Sequence, residues 1–287
     1  KGHLVMRRRH LKFWRNRLAL DFLSDLIGSL PKVEAALREI QNAGRAGKTL
    51  QNYAETLAAL CDWAIDREYL DADPLKKLQK FDVTPCTVRR ALTAEEVNRI
   101  LAAAPLDRRI LFEVALASGL RAGELRSLRI SHLDAVAGGL RLEAAWTKGR
   151  KAVFQPLHST LVRNLVAYSS GKEPSAPLLK VPQATSKLLY KYLAAAGIPK
   201  VTEEGKVDFH ALRTAYTTFV FEAGASVKEA QTLARHSTPD LTINVYAKSR
   251  SARLAEVAGA VGDMFLAPAQ CTTGVQQARA AMDSPVV

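Results

Sequence analysis

The chain has 287 residues, 48% hydrophobic and 24% charged, enough for two ordinary cores and incompatible with wholesale disorder. Its 41 Lys and Arg against 28 Asp and Glu leave a formal net charge of +13, a surplus that favours a polyanionic partner. No uninterrupted apolar run approaches the roughly 18–20 residues of a bilayer span, which favours nucleic acid over a membrane, and three widely spaced cysteines (Cys61, Cys86, Cys271) exclude a disulfide framework or a CxxC-type zinc site.

The basic start, Lys1 to Arg17, lacks the small-residue cleavage site of a secretory signal, so the expected location is cytoplasmic and nucleoid-associated. The first residue is Lys1, not Met, which leaves room for a missing upstream part. Within the start, Arg7, Arg8, Arg9, Lys12 and Arg15 interleave with Phe13 and Trp14, and no acidic residue occurs in the first twenty. Such a run is either a solvated helix face or a contact to a nucleic-acid backbone. A short helix is expected over Val33 to Asn42, stopped by Gly44. A longer one spans Lys48 to Tyr69, with Leu50, Tyr53, Leu57, Leu60, Cys61, Ala64 and Ile65 on one face and Asp73-Pro74 as its end. Residues Phe81 to Leu92 hold no period and read as an exposed linker containing Arg89 and Arg90.

Thr93-Ala-Glu-Glu96 is a capping box that opens a second domain. Pro105 ends that helix, Asp107 is placed to cap the next, and Gly119 stops it. The alternation of Leu140, Leu142, Ala144 and Trp146 predicts a half-buried strand from Gly139, followed by a Lys148-Gly-Arg150-Lys151 turn and a return strand over Ala152 to Gln155. Helices are predicted near 158–168 and 184–196, from Asp208 to a Gly224 stop, from Ser226 with Glu229 as a second capping box, and from Thr238-Pro239. The last twenty residues are rich in Ala, Gln, Ser and Thr and read as disordered. The fold class is mainly α with a small antiparallel sheet. Its parts are a helical domain over 1–83, a linker over 84–92, a second domain over 93–266 and a tail over 267–287. Residues 1–90 carry 17 basic and 11 acidic side chains and the remainder has a surplus of 7, so both domains are suited to one polyanion.

Three polar clusters could carry chemistry. In Ser118-Gly-Leu-Arg-Ala-Gly-Glu124, Arg121 sits in a tight turn and Glu124 lies three residues on, on the same helical side. In Phe209-His210-Ala-Leu-Arg213, i,i+3 spacing puts imidazole and guanidinium on one face of a helix start. In Ala234-Arg-His236 through Tyr246, a histidine ends one helix and a tyrosine follows ten residues later. Taken singly, these are a surface ion pair, a solvated cap and a core tyrosine. Together with Lys148 they are the set that phosphodiester transfer needs without a metal. Forked guanidiniums stabilise charge on the non-bridging oxygens, a histidine takes the phenol proton, and a lysine donates a proton to the leaving sugar oxygen. No Asp, Glu or His ligands converge on these segments as a metal-dependent nuclease would want.

The segments SGLRAGEL, TKGRK, DFHALRTAYTT and LARHSTPDLTINVYAK, in this order, closely resemble the boxes of the tyrosine recombinase (phage integrase) family, and the resemblance covers roughly residues 48–264. It implies a helical, SAM-like core-binding domain followed by an integrase-type catalytic domain that cuts and rejoins double-stranded DNA site-specifically, with no cofactor and no metal. Matched by position, Tyr246 is the nucleophile giving a 3′-phosphotyrosine, and Arg121 and Arg213 clamp the phosphate. Lys148 protonates the leaving oxygen, His210 accepts the tyrosine proton, His236 hydrogen-bonds the phosphate, and Glu124 organises its neighbours. Arg7, Arg8, Arg9, Lys12, Arg15, Lys48, Arg89, Arg90, Arg150 and Lys151 are the expected DNA contacts. Three departures stand out: Arg235 where the family often has glycine, Thr214 where it often has histidine, and one extra residue between His236 and Tyr246. Ser251 to Phe265 resembles a C-terminal helix exchanged between subunits, implying DNA-bound dimers or tetramers. The competing readings are a type IB topoisomerase-like transferase and a non-catalytic DNA-binding relative.

Overall fold

A computed structural model describes residues 2–84, 88–147, 151–240 and 242–243. The chain divides between Val88 and Arg89 into two compact units, each with its own apolar core.

The first unit is helical. Helix α1 (Gly2–Leu18) buries His10, Trp14 and Leu18, four residues apart, and leaves Arg7, Arg8, Arg9, Lys12 and Arg15 exposed on its other sides. Both faces follow from the 3.6-residue repeat. Helix α2 (Leu30–Asn42) buries Val33, Ala36 and Leu37 and gives way at Gly44, whose φ is +75°. Helix α3 (Gly47–Ile65) buries Leu50, Ala54, Leu57, Cys61 and Ala64. Its contact with α1 is partly polar. The Trp14 indole donates to the Tyr53 carbonyl at 2.9 Å, and His10 stacks on Tyr53 and hydrogen-bonds Thr56 at 3.0 Å. Helix α3 ends short of Tyr69, because Glu68 takes a left-handed conformation (φ +60°) and the Tyr69 amide turns back to the Ala64 carbonyl, well before Asp73-Pro74. A Cβ on Gly47 would lie 1.7 Å from the Asp82 carbonyl oxygen, so only glycine lets the returning chain pass the start of α3.

The second unit begins with α4 (Ala94–Ala103), capped by the Thr93–Glu96 box in both directions. Its central element is α5 (Leu106–Ser118), which buries Ile110, Leu111, Phe112, Val114 and Ala115 and therefore lies inside the core. Asp107 does not cap it; Pro105 holds that position, and the carboxylate instead binds Lys180 and the Tyr168 hydroxyl. Helix α6 (Ala122–Ser127) leads to a three-stranded antiparallel sheet of β1 (Leu133–Asp134), β2 (Gly139–Leu142) and β3 (Val153–Pro156), with Leu140 opposite Gln155. Strand β2 stops at Leu142 and does not reach Trp146. The Trp146 amide closes a turn on Glu143, and its ring packs edge-on against His132.

Helices α7 (Ser159–Ser169) and α8 (Thr185–Ala195) follow, then a two-stranded hairpin of β4 (Val201–Thr202) and β5 (Gly205–Lys206). Helix α9 (Ala211–Glu222) packs along α5, and α10 (Val227–Ala234) packs on α9 and opens with the Ser226–Glu229 box. Asp240, Thr242 and Ile243 begin a further helical turn after Pro239.

The expected exposed stretch from Phe81 to Leu92 is anchored at both ends, Phe81 against the first core and Leu92 inside the second. Lys148, Arg150, Tyr246, the segment 251–265 and the tail over 267–287 lie outside the described residues. Among the described residues, no helix is long and apolar enough to cross a membrane.

Candidate active site

The core pairing of α5 with α9 sets the site, because both helices bring polar residues to one end of their contact. Gly119 terminates α5 in the left-handed region (φ +59°), and a Cβ there would meet the Tyr216 ring of α9 at 2.3 Å. Glycine thus allows the chain to turn immediately over α9 and deliver Arg121 to the start of α6. The Arg121 amide donates to Glu124 Oε2 at 2.9 Å, while its guanidinium donates to Oε1 at 3.0 Å. The carboxylate that receives both is only 3% exposed.

Helix α9 supplies two more groups. His210 is its N-cap residue, and Arg213 follows within the first turn, its side chain buried. Arg213 donates from Nη1 to the Gly119 carbonyl and from Nη2 to the Ala234 carbonyl, so one guanidinium ties together the ends of α5 and α10. Neither partner is a carboxylate. Burial, with Arg121 and Arg235 nearby, brings the Arg213 pKa down to about 9, which still leaves it charged at neutral pH. A single cavity of about 190 Å³ is lined by Arg121, His210 and Arg213 together with Thr185, Ser186 and Asp208.

His236 follows α10 and hydrogen-bonds the buried Thr242 hydroxyl through Nδ1 at 2.9 Å. Desolvation first, then Arg213, Arg121, His210 and Arg235, lower its pKa to about 4. His210 retains solvent access at the rim, yet loss of hydration and the proximity of Arg213 and Arg89 also lower its pKa. Both imidazoles are therefore neutral near pH 7. Among the described residues, Arg121, Arg213 and Arg235 gather around the single Glu124 carboxylate, an excess of positive charge that suits a bound anion.

Four of the six expected catalytic residues, Arg121, His210, Arg213 and His236, are thus brought to one place, and Glu124 stands behind them. Lys148 and Tyr246 are outside the described residues. A neighbouring buried network was not legible as functional. The Gln155 amide donates to the Tyr216 hydroxyl at 3.1 Å, and Gln155 Oε1 accepts from Arg235. Its one local mark is a buried polar side chain on the return strand β3.

Of the expected DNA contacts, Arg7, Arg8, Arg9, Lys12, Arg15, Lys48 and Lys151 are exposed. Lys48 lies 3.6 Å from Glu55, and Arg89 donates to Asp208 at 2.8 Å. Arg90 is a correction. Its guanidinium is buried and forks onto both Glu96 oxygens at 2.7 Å, pinning the chain to the start of α4, so both of its terminal nitrogens are already committed within the protein. Among the described residues, no group of three His, Cys, Asp or Glu side chains is arranged to hold a metal ion.

Comparison with known proteins accords with this geometry. The chain is 29% identical over 271 residues to the tyrosine recombinase XerC of Mycobacterium tuberculosis, covering 84% of this chain and 87% of that protein. It is 24% identical over 258 residues to XerD of Staphylococcus epidermidis, covering 80% and 82%. In fold it resembles a lambda integrase dimer bound to a core site (TM-score 0.67, 22% identity, 85% of this chain and 88% of that one). It also resembles the Tn1549 transposon integrase in complex with transposon right-end DNA (TM-score 0.62, 18% identity, 90% and 94%). The family model for phage integrases matches residues 90–253, more than half of the sequence and the whole of the site just described, and the chain belongs to the phage integrase family.

Proposed function

We propose that this chain cuts and rejoins double-stranded DNA through Tyr246, with Arg121 and Arg213 holding the scissile phosphate. The class of activity follows from the family: the chain is a site-specific tyrosine recombinase, a DNA strand-transferase. In the proposed step the Tyr246 oxygen attacks phosphorus and the bond to the 5′ oxygen breaks. A 3′-phosphotyrosine and a free 5′-hydroxyl result. The phenol proton passes to His210, whose lowered pKa keeps a ring nitrogen unprotonated and able to take it. Lys148 gives a proton to the departing oxygen. With Nδ1 engaged by Thr242, the other nitrogen of His236 is the one free to meet a phosphate oxygen. Because the phosphodiester energy is kept in the phosphotyrosine, attack by a 5′-hydroxyl rejoins a strand without ATP.

The observation that carries this reading is the buried Arg213, held by two carbonyls and by no carboxylate, at a cavity shared with Arg121 and His210. A DNA phosphate supplies the missing negative charge where the transition state gathers it. The first unit is proposed to act as the core-binding domain over about 1–83, gripping the duplex with Arg7, Arg8, Arg9, Lys12 and Arg15 of α1. Residues 93–266 form the catalytic domain in this reading. Lys48, Arg89, Arg150 and Lys151 add backbone contacts. Lambda integrase has been captured as a dimer on a core site and as a tetramer on a Holliday junction. We extend that assembly to this chain, with 251–265 exchanged between subunits, and place it with the nucleoid in the cytoplasm.

The test is a nicked suicide duplex carrying a site that the wild-type chain has selected from randomised DNA. Wild type should accumulate a covalent adduct and Tyr246→Phe should not. An equal adduct from both, or none from wild type, refutes the proposal.

A further inference from the structure

Arg235 lies at a position of double cost. It caps α10 in the left-handed region at φ +53°, where a side chain is strained, and its guanidinium is buried with 8% of the side chain exposed. The fork is well used. Nη1 donates to the Ser118 and Leu233 carbonyls at 3.2 Å and to Gln155 Oε1, and Nη2 lies 3.5 Å from Glu124 Oε2. Nε is buried with no partner among the described residues. Two routes of coupling lead away from this one group. Through Glu124, the first reaches the Arg121 guanidinium and its amide. The second passes through Gln155 to the Tyr216 hydroxyl, and the Tyr216 ring packs on Gly119, whose carbonyl receives Arg213.

We propose that Arg235 is a positioning residue that sets the placement of both phosphate-clamping arginines, holding Arg121 through Glu124 and Arg213 through Gln155, Tyr216 and Gly119. The inference rests on the reading of Arg121 and Arg213 as the clamp. Without Arg235, Glu124 Oε2 keeps only the Arg121 amide, and Gln155 loses the donor that fixes its amide plane. Neither arginine is removed, but both are left less constrained. A clamp displaced by about 1 Å costs up to about 100-fold in rate without loss of affinity. Glycine relieves the backbone strain at this position, so R235G separates the guanidinium from the conformation it occupies.

The experiment is single-turnover adduct formation on the selected nicked duplex, comparing wild type, R235G, E124Q and R235G/E124Q. Amplitude counts folded, competent molecules, and the rate constant reports how well the site is set. R235G should be about 10–100-fold slower than wild type, with duplex affinity within about threefold. The double variant should be slowed by less than the product of the two single effects, since the substitutions share the Arg235–Glu124 link. If R235G folds poorly, the amplitude falls but the rate constant still decides, and R235Q provides a second variant. A wild-type rate constant in R235G and R235Q, a loss confined to amplitude, or full multiplication with E124Q overturns the proposal. In those cases a wild-type adduct through Tyr246 leaves the recombinase reading intact, whereas absence of that adduct refutes both.

Discussion

Gly119→Ala tests the joint between α5 and α9 on which the site is built. Two costs can be read from the structure. Alanine at φ +59° is held in the left-handed region, which costs roughly 1–2 kcal/mol. Its methyl would lie 2.3 Å from Tyr216 Cδ1 and 2.9 Å from Cε1, an overlap that requires the ring, whose hydroxyl accepts from Gln155, to shift. Overpacking of this kind adds roughly 1–3 kcal/mol. The total, about 2–5 kcal/mol, corresponds to roughly 5–15 °C in the melting temperature of a unit of this size. Thermal and denaturant unfolding read the sum, and a double-mutant cycle separates the parts. In a Tyr216→Ala background the steric portion should vanish while the backbone portion stays, giving a coupling of about 1–3 kcal/mol. A Gly119→Ala chain as stable as wild type, or two substitutions that simply add, would refute the close packing inferred here.

Other consequences are equally concrete. Arg90→Met should destabilise the second unit by about 3–5 kcal/mol by leaving Glu96 without its buried partner, while the salt dependence of DNA binding stays unchanged. Arg8→Ala with Lys12→Ala should lower the slope of log affinity against log salt by about 0.9 for each phosphate that α1 no longer neutralises, leaving the melting temperature nearly unaltered. An unchanged slope would remove α1 from the interface. The folded His236 pKa of about 4 lies below its unfolded value, so the unfolded chain binds more protons between those two values. Stability should therefore fall as pH drops from about 6.5 to 4, by roughly 1–2 kcal/mol after allowing for solvent in the cleft, and His236→Asn should flatten that slope.

How much was legible in the sequence depended on where each partner lay. The capping boxes at Thr93 and Ser226 and the stop at Gly119 involve neighbours within four residues, and they stand where local chemistry put them. The apolar face of α3 was equally readable, but its end was not, since a left-handed Glu68 leaves no compositional mark. Strand β2 reads as longer than it is because Trp146 continues the alternation, while its actual partner, His132, comes from an earlier turn. Strands β1, β4 and β5 have two residues each, too few to show a period. Arg121, His210, Arg213 and His236 were found through their order along the chain, and the structure brings them together. Arg90 misled because a basic side chain in an aperiodic stretch looks solvent-facing until Glu96 folds against it. Arg235 stood out only as a departure from the family pattern, and nothing in its local sequence announced Gln155 or Glu124 as partners.

The shortage of carboxylates around Arg213 has a consequence for the resting protein. With Glu124 as the near anion for Arg121, Arg213 and Arg235, the folded chain carries mutual repulsion that a hydrocarbon substitute would not. Its tightest state is thus the occupied one, and sulfate or duplex DNA should raise its melting temperature in proportion to the logarithm of ligand concentration. Substitutions that neutralise one of these cations relieve that repulsion in the empty protein but give up the bonds its guanidinium makes, so robustness and reactivity are set by the same groups at this spot.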